Sequence, residues 1–226
     1  MNVKIIRADA SHVPYAQRVC DLIYESAQQR GTGIAKRTPE YVGDKMADGK
    51  AVVALDGHRL VGFSYIETWG HGKFVANSGL IVDPLYRNMG LAYKIKKKVF
   101  ELSRELYPDA CIFGITTGLA VMKINSALGY VPVTFSELTD DPVFWKGCEG
   151  CRNYDILTRN NYRMCLCTGM LYDPRKHQGW FAKALDKAVE FLPRAQRLRL
   201  QWWMRRRWAK RKIQRQNRAK ARAEKK

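Results

Sequence analysis

No run of about 18 consecutive apolar residues occurs in the chain, so a membrane-crossing helix is not expected. The first residues include Lys4, Arg7 and Asp9 and lack the apolar core of a signal peptide, so a cytoplasmic location is expected. Cysteine is sparse, six in 226 residues, and with no secretory signal these read as reduced thiols rather than a disulfide framework. Neither Gly-x-Gly-x-x-Gly nor Gly-x-x-x-x-Gly-Lys-Ser/Thr is present, which argues against a dinucleotide fold and a kinase-type phosphate loop. There is no internal repeat.

Acidic residues are scarce at one end only. Residues 175–226 hold 19 Lys/Arg against 3 Asp/Glu, a net charge of +16. The whole chain carries +19, which leaves +3 for residues 1–174. The expected organisation is therefore a nearly neutral domain over 1–174, bounded by Asp173-Pro174, and a basic extension over 175–226. A nucleic-acid argument drawn from the total charge would misdescribe the body.

The most informative stretch that is present runs from Val82 through Asp83-Pro84 to Ala92. Phe74 to Val82 is apolar and β-branched and reads as a strand. Tyr93 to Leu106 repeats apolar residues with a helical period. Arg87-Asn88-Met89-Gly90-Leu91-Ala92 thus opens a helix just after a strand. A helix N-terminus offers unpaired N–H groups and a positive dipole end, which suits a pyrophosphate. Gly90 lets the backbone come close to it.

Around this stretch the sequence reads β–α–α–β–β–β–α–β–α–β–β. The expected segments are a strand at 3–7, a helix at 13–29, a short helix from Pro39 to Ala47, and strands at 51–55, 60–68 and 74–82. After the 93–106 helix come a strand at 110–116, a helix at 119–128, a strand at 131–136, loops over 140–161 and a strand at 162–172. The fold class expected is α/β, a mixed and mostly antiparallel twisted sheet with helices on both faces, plus a basic helical extension.

The hexad Arg87 to Ala92 resembles the coenzyme A loop of the GNAT acyltransferase superfamily, Gln/Arg-x-x-Gly-x-Gly/Ala. The element order over residues 3–174 and Leu128-Gly129-Tyr130 are similar to that family too. The resemblance implies an acyl-CoA-dependent N-acyltransferase with acetyl-CoA or another acyl-CoA, such as succinyl-CoA, as donor. It implies pairing of the pantetheine arm with Leu80, Ile81 and Val82, where that strand splays from Cys111 to Thr116. It also points to a glutamate base on a central strand and a tyrosine acid four residues before Gly129. The chain departs from both habits: Asn125 stands at the tyrosine position, and residues 74–82 contain no carboxylate. Glu67, at the end of the preceding strand, is the nearest candidate base, with His71 and Tyr130 as weaker ones. The competing reading of Glu67 is a solvated strand end.

A narrower resemblance is to the N-acetylglutamate synthase branch. It rests on Arg37-Thr38-Pro39-Glu40-Tyr41, Ala51-Val52-Val53-Ala54, Leu60-Val61-Gly62 and Ile115-Thr116-Thr117. It implies a small amino-acid acceptor, glutamate first, in arginine biosynthesis. Arg37 is the candidate clamp for its carboxylate, since a guanidinium binds carboxylate bidentately. The alternatives are a protein or polyamine amine as acceptor, or a catalytically silent module held on RNA or membrane by its tail.

Cys148, Cys151, Cys165 and Cys167 form a Cys-x-x-Cys and a Cys-x-Cys pair. Four thiolates suit tetrahedral zinc. Buried reduced thiols packing as small hydrophobes, or a redox pair, are the competing readings. Cys20 and Cys111 fall on core faces. In the extension, Trp202, Trp203 and Trp208 interleave with arginines, which suits RNA or an anionic membrane surface. Docking on the body or on a second subunit, as in a homodimer, is the other option. Residues 214–226 read as a solvated terminus.

Overall fold

The computed structural model describes residues 3–30 and 37–176. What is expected of the extension beyond residue 176 lies outside these residues.

Seven strands form one sheet in the order β1-β2-β3-β4-β5-β7-β6. They are β1 Val3–Arg7, β2 Ala51–Asp56, β3 Arg59–Trp69, β4 Phe74–Val82, β5 Cys111–Thr116, β6 Val131–Val133 and β7 Thr168–Tyr172. Every neighbouring pair is antiparallel except β4 with β5. The main helices are α1 Ala16–Arg30, α2 Pro39–Ala47, α3 Leu91–Leu106 and α4 Leu119–Ala127. Two short helices, α5 Pro142–Lys146 and α6 Tyr154–Arg159, fill the segment expected to be loops. No described helix is long and apolar enough to cross a membrane.

Alternation along β2 shows how the sheet divides its core. Val52 and Ala54 pack under α3 with Ile95, Val99 and Leu102. Ala51 and Val53 point the other way, toward Val19, Leu22 and Ile23 of α1 and Val42 and Met46 of α2. A third cluster, Phe113, Phe135, Trp145, Leu157 and Leu171, packs β5 and β7 against α5 and α6.

Local chemistry sets the element ends. Thr38 caps α2, its hydroxyl accepting from the Tyr41 amide, and Pro39 takes the first helical position, where no N–H is needed. Pro14 sits in a 3-10 turn over Ala10–Tyr15, so α1 begins at Ala16 rather than at Val13. β6 is only three residues long and β7 begins at Thr168, both shorter than the sequence pattern suggests.

Two irregularities open the middle of the sheet. β4 pairs with β5 only through Phe74, Ala76 and the residue between them, against Cys111 to Phe113, and beyond these the two parallel strands part. The β3–β4 register slips between Phe63 and Tyr65, where Phe63 faces Ile81 but Tyr65 faces Ser78. Gly79 sits in this bulge at φ +64, and a Cβ there would lie 2.6 Å from the Tyr65 ring. Both its backbone angle and the close approach of that ring require glycine.

Candidate active site

The first part of the site is the turn between β4 and α3. Asp83 is buried, and its carboxylate accepts from the Leu85 amide at 3.0 Å and from Arg59 at 2.9 Å. Burial would raise its pKa, but these partners hold the carboxyl below its usual range. This fixes the Val82-Asp83-Pro84 exit from β4. Asn88 at φ 62 and Gly90 at φ 72 then turn the chain into α3. Gly90 is the N-cap and provides no side-chain cap. The first bond of the helix runs from the Lys94 amide to the Gly90 carbonyl, so the amides of Leu91, Ala92 and Tyr93 have no partner within the helix. Among the described residues, nothing beyond its own chain neighbours lies within 4 Å of the position a Gly90 Cβ would take. Arg87 differs from the expectation: its own amide is used, bonding to the Pro84 carbonyl at 3.3 Å. The remaining residues of the expected anion loop are Asn88, Met89, Gly90, Leu91 and Ala92. Asn88, Met89 and Gly90 are exposed.

The second part is the slot where β4 leaves β5. Leu80, Ile81 and Val82 lie on its β4 wall, and Gly114 to Thr116 on the other. Cys111 to Phe113 belong to the paired stretch, so the slot begins later on β5 than the sequence suggested. Asn125 on α4 is buried, and among the described residues its Oδ1 has no hydrogen-bond partner. Tyr130 is also buried, its hydroxyl committed to Asn77 Oδ1 at 2.9 Å.

The third part is a charged cluster on the opposite face of β3. Arg37 Nε donates to the Tyr65 hydroxyl at 2.7 Å, and its guanidinium lies 5.6 Å from the centre of the Tyr41 ring. The Tyr41 hydroxyl donates to Glu67 Oε2 at 2.7 Å. Lys45 Nζ pairs with the same Glu67 oxygen. Glu67 is only 19% exposed and Lys45 12%, so Glu67 is not a solvated strand end. Burial and the neighbouring Tyr65 and Glu67 push the Tyr41 phenol far above its ordinary value, so it remains a hydrogen-bond donor. His71 lies in the exposed β3–β4 turn, away from this network. Tyr41, Lys45, Tyr65 and Gly79 were not singled out from the sequence as site residues. The spacing held part of the signal: Tyr41 and Lys45 are four apart on one face of α2, and Tyr65 and Glu67 are two apart on one strand face, whereas Arg37 lies just ahead of the Thr38 cap.

The four clustered cysteines line one small apolar cavity of about 20 Å³ with Ile115, Phe135, Trp145 and Leu157. All are free thiols. The zinc expectation is not supported: among the described residues no group of three or more His, Cys, Asp or Glu side chains could hold a metal ion. The sulfurs serve other contacts. Cys151 Sγ accepts from the Asn153 amide at 3.4 Å, and Cys165 Sγ faces the Asn153 carbonyl at 3.8 Å. Burial pushes the Cys148 thiol up to about 11 and the Cys167 thiol up to about 12. Cys148, Cys165 and Cys167 pack as small hydrophobes in the cluster around Phe113 and Trp145. Cys20 and Cys111 pack at the margins of core clusters.

The acetyltransferase (GNAT) family model matches residues 20–117. No curated protein matches the sequence. Among solved structures, N-acetylglutamate synthase from Neisseria gonorrhoeae, complexed with coenzyme A and N-acetyl-glutamate, superposes with a TM-score of 0.55 at 15% identity, over 76% of this chain and 35% of that one. The chain thus spans about a third of that enzyme's length. Rv2747 from Mycobacterium tuberculosis, in complex with CoA, gives a TM-score of 0.53 at 16% identity over 75% of this chain and 98% of its own. Diaminobutyrate acetyltransferase EctA from Paenibacillus lautus, with 2,4-diaminobutyric acid and coenzyme A, gives 0.52 at 11% identity over 76% and 95%. The architecture of the described body is the GNAT fold.

Proposed function

Residues 20–117 belong to the acetyltransferase (GNAT) family, and from that premise we propose that the chain is an acyl-CoA-dependent N-acyltransferase acting on the amine of a small amino acid, glutamate first. The step would belong to arginine biosynthesis, in the cytoplasm. The observation that carries the acceptor assignment is the cluster of Arg37, Tyr41, Lys45, Tyr65 and Glu67 beside the Gly79 bulge. It puts two cations and one carboxylate within a partly buried patch. That composition suits an acceptor bearing one amine and carboxylates, and it repels a polyamine.

The donor supplies a thioester carbonyl as electrophile. The amides of residues 88–92 would hold its pyrophosphate, and the β4 wall at Leu80 to Val82 its pantetheine arm. The bulge leaves β4 backbone groups near Gly79 out of register with β3, where an N–H can stabilise charge growing on the carbonyl oxygen. Arg37 binds the acceptor carboxylate. As the C–N bond forms and the C–S bond breaks, coenzyme A leaves as its thiolate and Glu67 accepts the proton that the amine loses, with Tyr41 and Lys45 keeping its carboxylate in place. The buried Asn125 would orient rather than protonate, because an amide is not a proton donor of the required strength.

Thiol release measured with several acyl-CoA donors against a panel of amino acids tests this reading. Transfer confined to acidic amino acids supports it. Transfer to polyamines or protein lysines, or none to any amine, overturns it.

A further inference from the structure

Lys96 projects from the core face of α3 and is 2% exposed. Its Nζ lies 3.4 Å from the Asn77 carbonyl, one residue past the last paired position of β4. It also lies 3.9 Å from where a Gly114 Cβ would stand, on β5 across the split. The amine thus occupies the closed end of the β4–β5 slot.

The surroundings offer that amine little. The Asn77 side chain beside it is engaged in a chain of other hydrogen bonds. Tyr130 donates to Asn77 Oδ1 at 2.9 Å, Asn77 Nδ2 to Ser103 Oγ at 2.7 Å, and Ser103 Oγ to the Val99 carbonyl at 2.9 Å. The ammonium is left with one long bond and the face of the Tyr130 ring, 5.4 Å away, for three donors. Among the described residues no carboxylate pairs with it. Burial alone pushes its pKa down to about 7. An unpaired buried cation is costly, and an aliphatic side chain of similar volume would fill the space without that cost. Capping the Asn77 carbonyl explains one donor, not a charge.

The direction of the slot says what would meet the amine. Its mouth lies at the C-terminal end of β4, beside the loop that leads to Gly90, and it closes toward Asn77. From Val82 back to Asn77 the strand spans about 17 Å. A donor anchored by its pyrophosphate at the loop therefore brings its acyl end toward Lys96. We propose that Lys96 pairs with a carboxylate at the far end of the acyl chain, so that the preferred donor is the coenzyme A thioester of a short dicarboxylic acid. This rests on the acyl-CoA reading above and narrows it.

The test is calorimetric titration of the full chain with coenzyme A, acetyl-CoA and succinyl-CoA at pH 6.5, where the amine is mostly charged. The groups facing it there are Asn77, Gly114 and Tyr130, and burial raises the Tyr130 phenol far above this pH. No acceptor is needed. Succinyl-CoA is expected to bind at least tenfold more tightly than acetyl-CoA. Lys96→Met should remove that preference, with coenzyme A binding and a cooperative melt retained. Lys96→Gln keeps a donor for the Asn77 carbonyl without the charge and should behave like Lys96→Met. Equal affinity for the two thioesters in the wild type overturns the proposal, and so does a preference that survives in Lys96→Gln. Failure of all three ligands to bind removes the acyl-CoA reading itself, a result distinct from equal binding.

Discussion

Tyr41 and Glu67 meet across the α2–β3 interface, hydroxyl to carboxylate at 2.7 Å, with Lys45 on the same oxygen. This ties a carboxylate at the end of a strand to a helix whose cap, Thr38, directly follows the carboxylate-binding candidate Arg37. Glu67→Gln keeps the shape and removes the base. Removing a general base costs roughly 10² to 10⁴ in rate, so kcat should fall by at least about 10² with little change in coenzyme A affinity. Tyr41→Phe should lower kcat less, because it loosens the carboxylate without removing it. Steady-state rates of the two variants check this. A Glu67→Gln enzyme with wild-type kcat would move the base elsewhere.

Arg37→Ala should raise the acceptor KM strongly while coenzyme A still binds. Losing one member of a buried hydrogen-bonded charge pair costs about 2–5 kcal/mol, some 30-fold or more. Part of the loss comes from the Tyr65 hydroxyl, which accepts from Arg37 in the free protein. Tyr65→Phe separates the two contributions, since it removes that one hydrogen bond and keeps the guanidinium. An acceptor KM unchanged in Arg37→Ala would leave Arg37 as a stacking residue on Tyr41 and Tyr65.

Much of this was legible in the sequence, for identifiable reasons. β4 begins and ends where the β-branched run and Asp83-Pro84 place it, because Asp83 and Pro84 act locally. α2 starts at Pro39 behind the Thr38 cap, also a local signal. α3 begins at Leu91, two residues earlier than the apolar period suggests, because the turn into it is made by Gly90 in a left-handed conformation. Residues 140–161 contain α5 and α6, each too short for periodicity to reveal. The Gly79 bulge and the β4–β5 split depend on strand register, which no local pattern encodes. The partners of Glu67 and the burial of Lys96 depend on the same long-range pairing.

Gly90→Val should abolish measurable coenzyme A binding and leave the body folded. The backbone there has φ 72, and the Cβ would point into space free of protein atoms, where the pyrophosphate is expected. A β-branched residue is disfavoured in that conformation, so the loop would re-form with different amide directions. Titration calorimetry and a thermal melt together check it. Binding within a few-fold of wild type would remove the loop from the donor site.

Removing residues 175–226 should leave a soluble body that retains thiol-release activity. The sheet is complete at Tyr172, and the excess of basic residues lies beyond it. The extension is proposed to contact polyanions, so heparin retention of the full chain should fall steeply with salt and be lost on truncation. An insoluble or inactive truncation would place part of the extension in the folded domain. Salt-insensitive retention would reject the polyanion role.

Lys96 also makes a prediction about stability. Its pKa in the folded state is depressed to about 7 from the ordinary 10.5, so above pH 7 the unfolded chain binds more protons than the folded one. Stability should therefore rise with pH through this window. The rise ends near the ordinary thiol and phenol values. Cys148, Cys167, Tyr41 and Tyr130 all have raised pKa values in the fold, so the unfolded chain loses those protons first. Between about pH 7 and 9 the Lys96 effect should dominate, and Lys96→Met should flatten it. The variant should also be more stable than wild type at pH 6, where a buried charge has been removed. Urea unfolding of both proteins at pH 6, 7, 8 and 9 measures the difference. Parallel curves would mean that Lys96 is already paired or solvated in the free protein, and its place at the closed end of the slot would have to be abandoned.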